Sequence, residues 1–284
     1  MIRITALLGL ILIVLAGCSE APVQERSTLR AGVLPDRTAA RLYAEYEPLF
    51  NYLSEKTGKS IELVIPEDYQ DLLRLFDEGE IDLGFFGGLT FLQAQERSGA
   101  IPLVTRDIDT RFTSLFISRE DAQNTKITDF KNKKLGFGSQ LSTSGHLMPR
   151  YFLRTLGIEP ETFFSNVIYT GAHDKTAMAV LDGTVDIGVA NTLVIRQLLQ
   201  TKRLGDDKIR ILWETPPYTD YVWAVQAEIS PNTKNKLQEA FLALSIVDET
   251  QRAILTSLGA QGYLPVRQED FIKLRQLAIE LDLL

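Results

Sequence analysis

Residues 66–88, PEDYQDLLRLFDEGEIDLGFFGG, recur without a gap 104 positions later as residues 170–192, TGAHDKTAMAVLDGTVDIGVANT. Gly79, Asp82 and Gly84 of the first copy fall on Gly183, Asp186 and Gly188 of the second. Each copy reads as a short apolar helix, a glycine turn, and a strand running into a loop of small residues. Each also sets a hydrogen-bonding side chain, Tyr69 or His173, at the same place before its helix. This pattern predicts two related α/β lobes facing each other across a cleft, an architecture suited to closing on a solute.

The N-terminus predicts where this happens. Arg3 precedes an apolar run from Ile4 to Leu15, then Ala16-Gly17-Cys18. A short basic region, an apolar region of this length and small residues before a cut read as a secretory signal, too short for a comfortable membrane span. Leu15-Ala16-Gly17-Cys18 resembles the bacterial lipobox, in which Cys18 is lipidated and becomes the first residue of a membrane-anchored lipoprotein. Residues 1–18 are therefore expected to be signal and 19–27, SEAPVQERS, a tether. Cys18 is the only cysteine, so no intrachain disulfide can form.

Composition narrows the function classes. Net charge is −7, with no basic run, which argues against nucleic acid as a partner. Two histidines and no His/Cys cluster argue against a zinc site, and no metal or cofactor is expected. The chain as a whole, 45% hydrophobic and 24% charged, has an ordinary globular composition, and a monomer is expected.

Strand and helix patterns alternate. Strands are predicted over 29–34, 61–65, 81–86, 101–105 and 113–118, with helices over 43–56, 70–76 and 89–98 between them. The theme repeats with strands over 134–138, 166–169 and 185–190 and helices after Ser144 and over 175–181 and 193–199. Strands over 209–214 and 221–225 lead to a mostly helical end, Asn232–Leu284, interrupted around 259–265. Alternation of this kind predicts mainly parallel sheets with right-handed crossovers. Lobe 1 is expected over 28–114 plus 226–284 and lobe 2 over 115–225, with crossings near 112–118 and 221–225 as a two-strand hinge.

The chemistry concentrates in Leu135-Gly136-Phe137-Gly138-Ser139-Gln140-Leu141-Ser142-Thr143-Ser144-Gly145-His146. A strand ends in a glycine-rich loop, and three hydroxyl residues and a glycine open a helix. Such a start offers unpaired N–H groups and the helix dipole to an anion, without needing Lys or Arg. Ser142–Ser144 serving only as helix caps is the competing reading. The loop lies at the carboxyl end of a strand, where open α/β sheets place ligands. Position 141 is Leu where a dinucleotide fingerprint needs its third glycine, and neither Ser139 nor Ser144 stands in a G-x-S-x-G elbow. A Ser144–His173 pair is conceivable, but no enzyme is expected.

Ser142-Thr143-Ser144-Gly145 followed by His146-Leu147-Met148-Pro149, then Gly171-Ala172-His173-Asp174 and the early Gly32-Val33-Leu34-Pro35, are similar to the phosphate/phosphite/phosphonate-binding proteins of ABC importers. The resemblance runs from about Leu29 to the C-terminal helices. It implies a type II periplasmic-binding fold that closes two lobes over one oxyanion without catalysis, served by an ATP-driven permease. On that resemblance Ser142, Thr143 and Ser144, with the Gly145 turn, donate to the phosphorus oxygens. His173 adds a ring N–H, Tyr69 reaches in from lobe 1, and Phe112 stands where the family can place a Tyr. Tyr69 as a core ring and His173 as a buried structural imidazole are the alternatives.

Aminoalkylphosphonate binders of this family carry a carboxylate just after the second copy's Asn-Thr. Here Asn191-Thr192 is followed by Leu193, which argues against an aminoalkyl ligand. The pattern's second acid falls near Asp220, which either faces the cleft, favouring a ligand with P–OH over sulfate, or is a solvated loop carboxylate. Asp82 and Asp186 are expected to act structurally at strand starts. The expected function is an extracytoplasmic, lipid-anchored receptor for phosphite, phosphate or a small phosphonate. The alternative is a sensory subunit that reports the solute to a membrane kinase or cyclase.

Overall fold

A computed structural model describes residues 26–205 and 208–284. The signal, Cys18 and most of the tether lie outside the described residues. The strands form two sheets, one of six strands and one of five. In the first, β1 (Thr28–Val33), β2 (Ser60–Val64) and β3 (Leu83–Phe86) are parallel. They are linked through α1 (Ala39–Thr57) and α2 (Tyr69–Asp77). In the second, β6 (Lys134–Phe137), β7 (Asn166–Tyr169) and β8 (Ile187–Asn191) repeat that arrangement, with α4 (Met148–Thr155), α5 (Pro160–Phe163) and α6 (His173–Leu181) between them. Helices α3 (Gly88–Ser98) and α7 (Thr192–Gln200) follow the third strand of each unit.

The parallel character expected from strand–helix alternation holds within these two units. The strands that carry the chain between lobes run antiparallel, so both sheets are mixed. β4 (Ile101–Arg106) leaves the first sheet, and β5 (Ser114–Arg119) joins the second. β9 (Ile209–Glu214) pairs with β5, and β10 (Val222–Val225) returns between β3 and β4. The crossings are tied by the Phe112 N–H to Tyr218 O at 2.8 Å and the Tyr218 N–H to Phe112 O at 3.0 Å.

The internal repeat has a physical cause. Gly79 and Gly183 both take left-handed backbone, φ 65° and 79°, which a side chain would oppose. Three residues later, Asp82 accepts from the Arg30 N–H at 2.7 Å and Asp186 from the Lys134 N–H at 2.8 Å. Each carboxylate thus pins its strand to the first strand of its own unit, the structural role expected of both.

Apolar periodicity supplies the cores. α1 buries Leu42, Tyr46, Leu49, Phe50 and Leu53, one face of a helix, beginning four residues before the predicted start. Trp223 on β10 lies among the rings of Tyr46, Phe50, Phe85 and Phe241. In lobe 2 the alternation along β5 splits the core, with Leu115 and Ile117 on one face of the sheet and Phe116 on the other. The C-terminal segment contributes α8 (Pro231–Ala243), α9 (Glu249–Ser257) and α10 (Ile272–Glu280) to lobe 1. Its interruption contains β11 (Tyr263–Pro265), a three-residue edge strand on β4 that is too short to show period-two alternation.

Candidate functional site

The Ser142–Gly145 loop closes on its own strand, the Gly138 N–H donating to Gly145 O at 2.8 Å. Ser142 caps the following turn, its Oγ accepting from the Gly145 N–H at 2.9 Å. Thr143–Leu147 forms one wide π-helical turn before α4, where an ordinary helix start was predicted. Gly145 is required by contact: a Cβ there would stand 3.0 Å from His173 Cε1 and 3.2 Å from Gly138 Cα. The glycine therefore lets the hydroxyl loop lie directly on the imidazole.

Thr143 Oγ1 accepts from the Leu89 N–H of lobe 1 at 2.9 Å. Asp220 Oδ1 accepts from the adjacent Gly88 N–H at 3.1 Å. The start of α3, the repeat partner of the Asn191-Thr192 turn, thus meets the hydroxyl loop with the lobes closed. Gln197 of α7 makes a second lobe-to-lobe bond, donating to Glu45 Oε1 at 3.0 Å.

Tyr69, Ser144, His173 and Asp220 are each no more than 2% exposed. Three of their polar atoms, Tyr69 OH, Ser144 Oγ and Asp220 Oδ2, have no hydrogen-bond partner within the protein. Buried polar groups are ordinarily paired, so three orphans in one cluster mark a place built for something else. The Tyr69 hydroxyl faces Ser142, and Ser144 faces both Tyr218 and Asp220.

Burial raises the Asp220 carboxyl from the usual 3.8 to about 7, helped by the charge of Asp109 and opposed by the Gly88 N–H. Burial lowers His173 to about 4, against the pull of Asp36. Its Nδ1 accepts from the Asn191 N–H at 3.3 Å, which places the neutral ring's proton on Nε2. The other histidine serves structure: His146, lowered to about 4 by burial, joins Gln140 O, Arg150 and Tyr169 on the far side of the loop.

Several expectations are refined. Asn191 accepts at Oδ1 from the Val194 N–H at 2.8 Å and donates one of its two amide N–H groups to Tyr221 OH at 2.9 Å. It orients its neighbours and keeps a second amide N–H. Phe112 is a buried wall against Tyr218 and Tyr221. Asp220 is fully buried, which removes the solvated-loop alternative. Leu193 packs toward Gly259 of the opposite lobe.

Sequence reasoning missed Tyr218 and Tyr221, although both flank the singled-out Asp220. Tyr218 OH bonds Ser114 Oγ, which donates to Ser144 O at 2.6 Å. It also missed Asp36, whose carboxylate is pushed up by burial but held below the usual range by Arg37 and His173. Aligning Gly87-Gly88 with Asn191-Thr192 in the repeat would have exposed the α3 start. Among the described residues no group of His, Cys, Asp and Glu is placed to hold a metal ion.

Two α/β lobes meeting over an enclosed polar cluster define a bilobal solute-binding protein of the type II fold. Residues 31–271 match the family described as ABC transporter, phosphonate, periplasmic substrate-binding protein, and the chain belongs to that family. It is 27% identical to the probable ABC transporter phosphite binding protein PhnD1 of Prochlorococcus marinus (strain MIT 9301), over 89% of this chain and 90% of that protein. It is 26% identical to the phosphate-import protein PhnD of Mycolicibacterium smegmatis, over 88% and 84% of the two chains. The solved structure of P. marinus PhnD1 in complex with methylphosphonate superposes with TM-score 0.86, at 26% identity, covering 91% of this chain and 99% of that one. The protein is therefore the extracytoplasmic binding component of an ABC transporter, working with a membrane permease and ATPase, and is not an enzyme.

Proposed function

We propose that this chain binds phosphite, phosphate or a small alkylphosphonate between its lobes and delivers it for import. The carrying observation is the set of three partnerless buried groups, Tyr69 OH, Ser144 Oγ and Asp220 Oδ2, supplied by both lobes and the crossing between them. Ser142, Thr143 and Ser144 offer hydroxyls, the turn at Gly145 offers its backbone, and His173 Nε2 and Tyr69 OH offer N–H and O–H. These neutral donors suit an oxyanion and need no cation. Asp220, titrating near 7, accepts a P–OH proton or donates its own, and its charge repels a fully ionised anion such as sulfate. The complete enclosure favours a small ligand, and Leu193 provides no counter-charge for an amine. Binding follows as hinge closure over the anion. Residues 1–18 act as a lipoprotein signal, with Cys18 as the anchor and 19–27 as the tether. On this reading the lobes part near 114 and near 220, earlier than the 225/226 boundary expected from sequence, since β10 pairs within the first sheet.

A thermal-shift panel tests it. Ligand at 100 times its dissociation constant stabilises by about 2.7 kcal/mol, a shift of about 5 °C for a protein this size. Phosphite, phosphate or methylphosphonate is expected to give that shift, with sulfate, 2-aminoethylphosphonate and amino acids giving none. A shift only with sulfate or an amino acid would overturn the ligand class.

A further inference from the structure

We infer that Tyr221 is a positioning residue that ties the closed lobes together and sets how long the bound anion stays, a role that rests on the oxyanion reading above. By packing, Tyr221 belongs to lobe 1. Its ring stacks on Phe85 with centroids 5.2 Å apart, under the Arg106 guanidinium at 5.3 Å. Its hydroxyl donates to Asp36 Oδ2 at 3.3 Å, also in lobe 1. The other two neighbours of that oxygen come from lobe 2: Asn191 Nδ2 donates to it at 2.9 Å, and His173 Nε2 lies 3.5 Å away.

The directions follow from charge. Asp36 is an ionised carboxylate held by Arg37, 2.9 Å from its Oδ1, so it is the acceptor for the tyrosine proton. The hydroxyl's lone pairs then face lobe 2, where the Asn191 amide donates into them. Asn191 in turn fixes α7 through the Val194 N–H and fixes the His173 tautomer through its own N–H. One hydroxyl thus links the β1–α1 turn of lobe 1 to the first turn of α7, beside the ring of His173. The links to Asp36 and Phe85 survive separation of the lobes, whereas the link to Asn191 exists only on closure. An interaction made on closure lengthens residence and leaves the encounter rate alone.

The test is stopped-flow binding of phosphite and methylphosphonate to the purified wild-type protein, Tyr221→Phe, Asn191→Ser and the double variant. Phenylalanine keeps the stack on Phe85, and serine keeps a helix-capping oxygen. Each single variant is expected to raise the dissociation rate about fivefold, the loss of one neutral hydrogen bond. The association rate stays at its wild-type value, and the double variant is no faster than the singles. Ligand-free melting falls modestly in Tyr221→Phe, which loses its bond to the Asp36 carboxylate, and stays at wild type in Asn191→Ser. Unchanged dissociation rates, additive effects, or a change confined to association or ligand-free melting would overturn the role. Asn191→Ser reports the same link should Tyr221→Phe fold poorly. Wild-type protein that binds neither anion would overturn the site reading, and this role with it.

Discussion

Arg106→Ala is expected to destabilise the ligand-free protein by about 3–5 kcal/mol, the cost of stranding a buried charge. Arg106 and Asp109 are 4% and 0% exposed and form a two-pronged pair, Nε to Oδ2 at 2.6 Å and Nη2 to Oδ1 at 2.7 Å. Nη1 also donates to Leu258 O at 2.7 Å, and the guanidinium lies over the rings of Phe85 and Tyr221. Removing it strands the Asp109 carboxylate, already pushed up by burial, with no counter-charge. The drop in melting temperature should be about 6–9 °C. Arg106→Met with Asp109→Leu should recover most of it, because apolar replacement of both partners leaves no buried charge. The effect reaches the site: Asp109 O accepts from the Asp220 N–H at 2.9 Å, so the pair also holds the turn that presents Asp220. Chemical denaturation measures the cost, and a loss below about 1 kcal/mol would show that water reaches Asp109.

Asp220→Asn is expected to stabilise the ligand-free protein at neutral and alkaline pH while weakening its discrimination. Asp220 titrates near 7 in the fold and at 3.8 as a free side chain. Between these values the folded protein holds a proton that the unfolded chain releases, so stability falls as pH rises through this window. At 1.36 kcal/mol per unit the full deficit is about 4 kcal/mol above pH 7, vanishing below pH 4. Asparagine keeps an acceptor for the Gly88 N–H and carries no charge, so the advantage of the variant should open from near zero at pH 4 to about 4 kcal/mol at pH 8. His173 and His146, both near 4 in the fold, act oppositely, lowering stability as pH falls from 6.5 to 4. The Asp220 contribution is therefore read from the difference between variant and wild type across pH. In binding, the variant should admit sulfate, which the wild-type carboxylate repels. A constant stability difference across pH would contradict a buried, proton-holding Asp220.

The fold was legible because the repeat carries its own physics. Gly79 and Gly183 announce left-handed turns, Asp82 and Asp186 the clamps beyond them, and strand–helix alternation the parallel units. The antiparallel halves were not legible, since the pairing of β10 between β3 and β4 depends on contacts between distant segments. Ser142, Thr143, Ser144, His173, Tyr69 and Asp220 could be singled out from motif and repeat, and the structure gathers them in one enclosed cluster. The division of labour among them could not be read. Asn191 looks like a ligand group in sequence, and the structure adds that it caps α7 through Oδ1 and gives one amide N–H to Tyr221. Tyr221 and Asp36 lie in no motif, and only their three-dimensional meeting with Asn191 and His173 gives them a role.

Whether one phosphorus oxyanion sits in this cluster is decided by calorimetric titration of phosphite and methylphosphonate into wild type and Ser144→Ala. Ser144 Oγ is buried and partnerless in the protein, so its loss should act on the ligand and little on the fold. One site per chain is expected, with an affinity about tenfold or more weaker in the variant, the cost of a hydrogen bond to a charged group. Equal affinity in the two proteins would place the anion elsewhere and contradict the account.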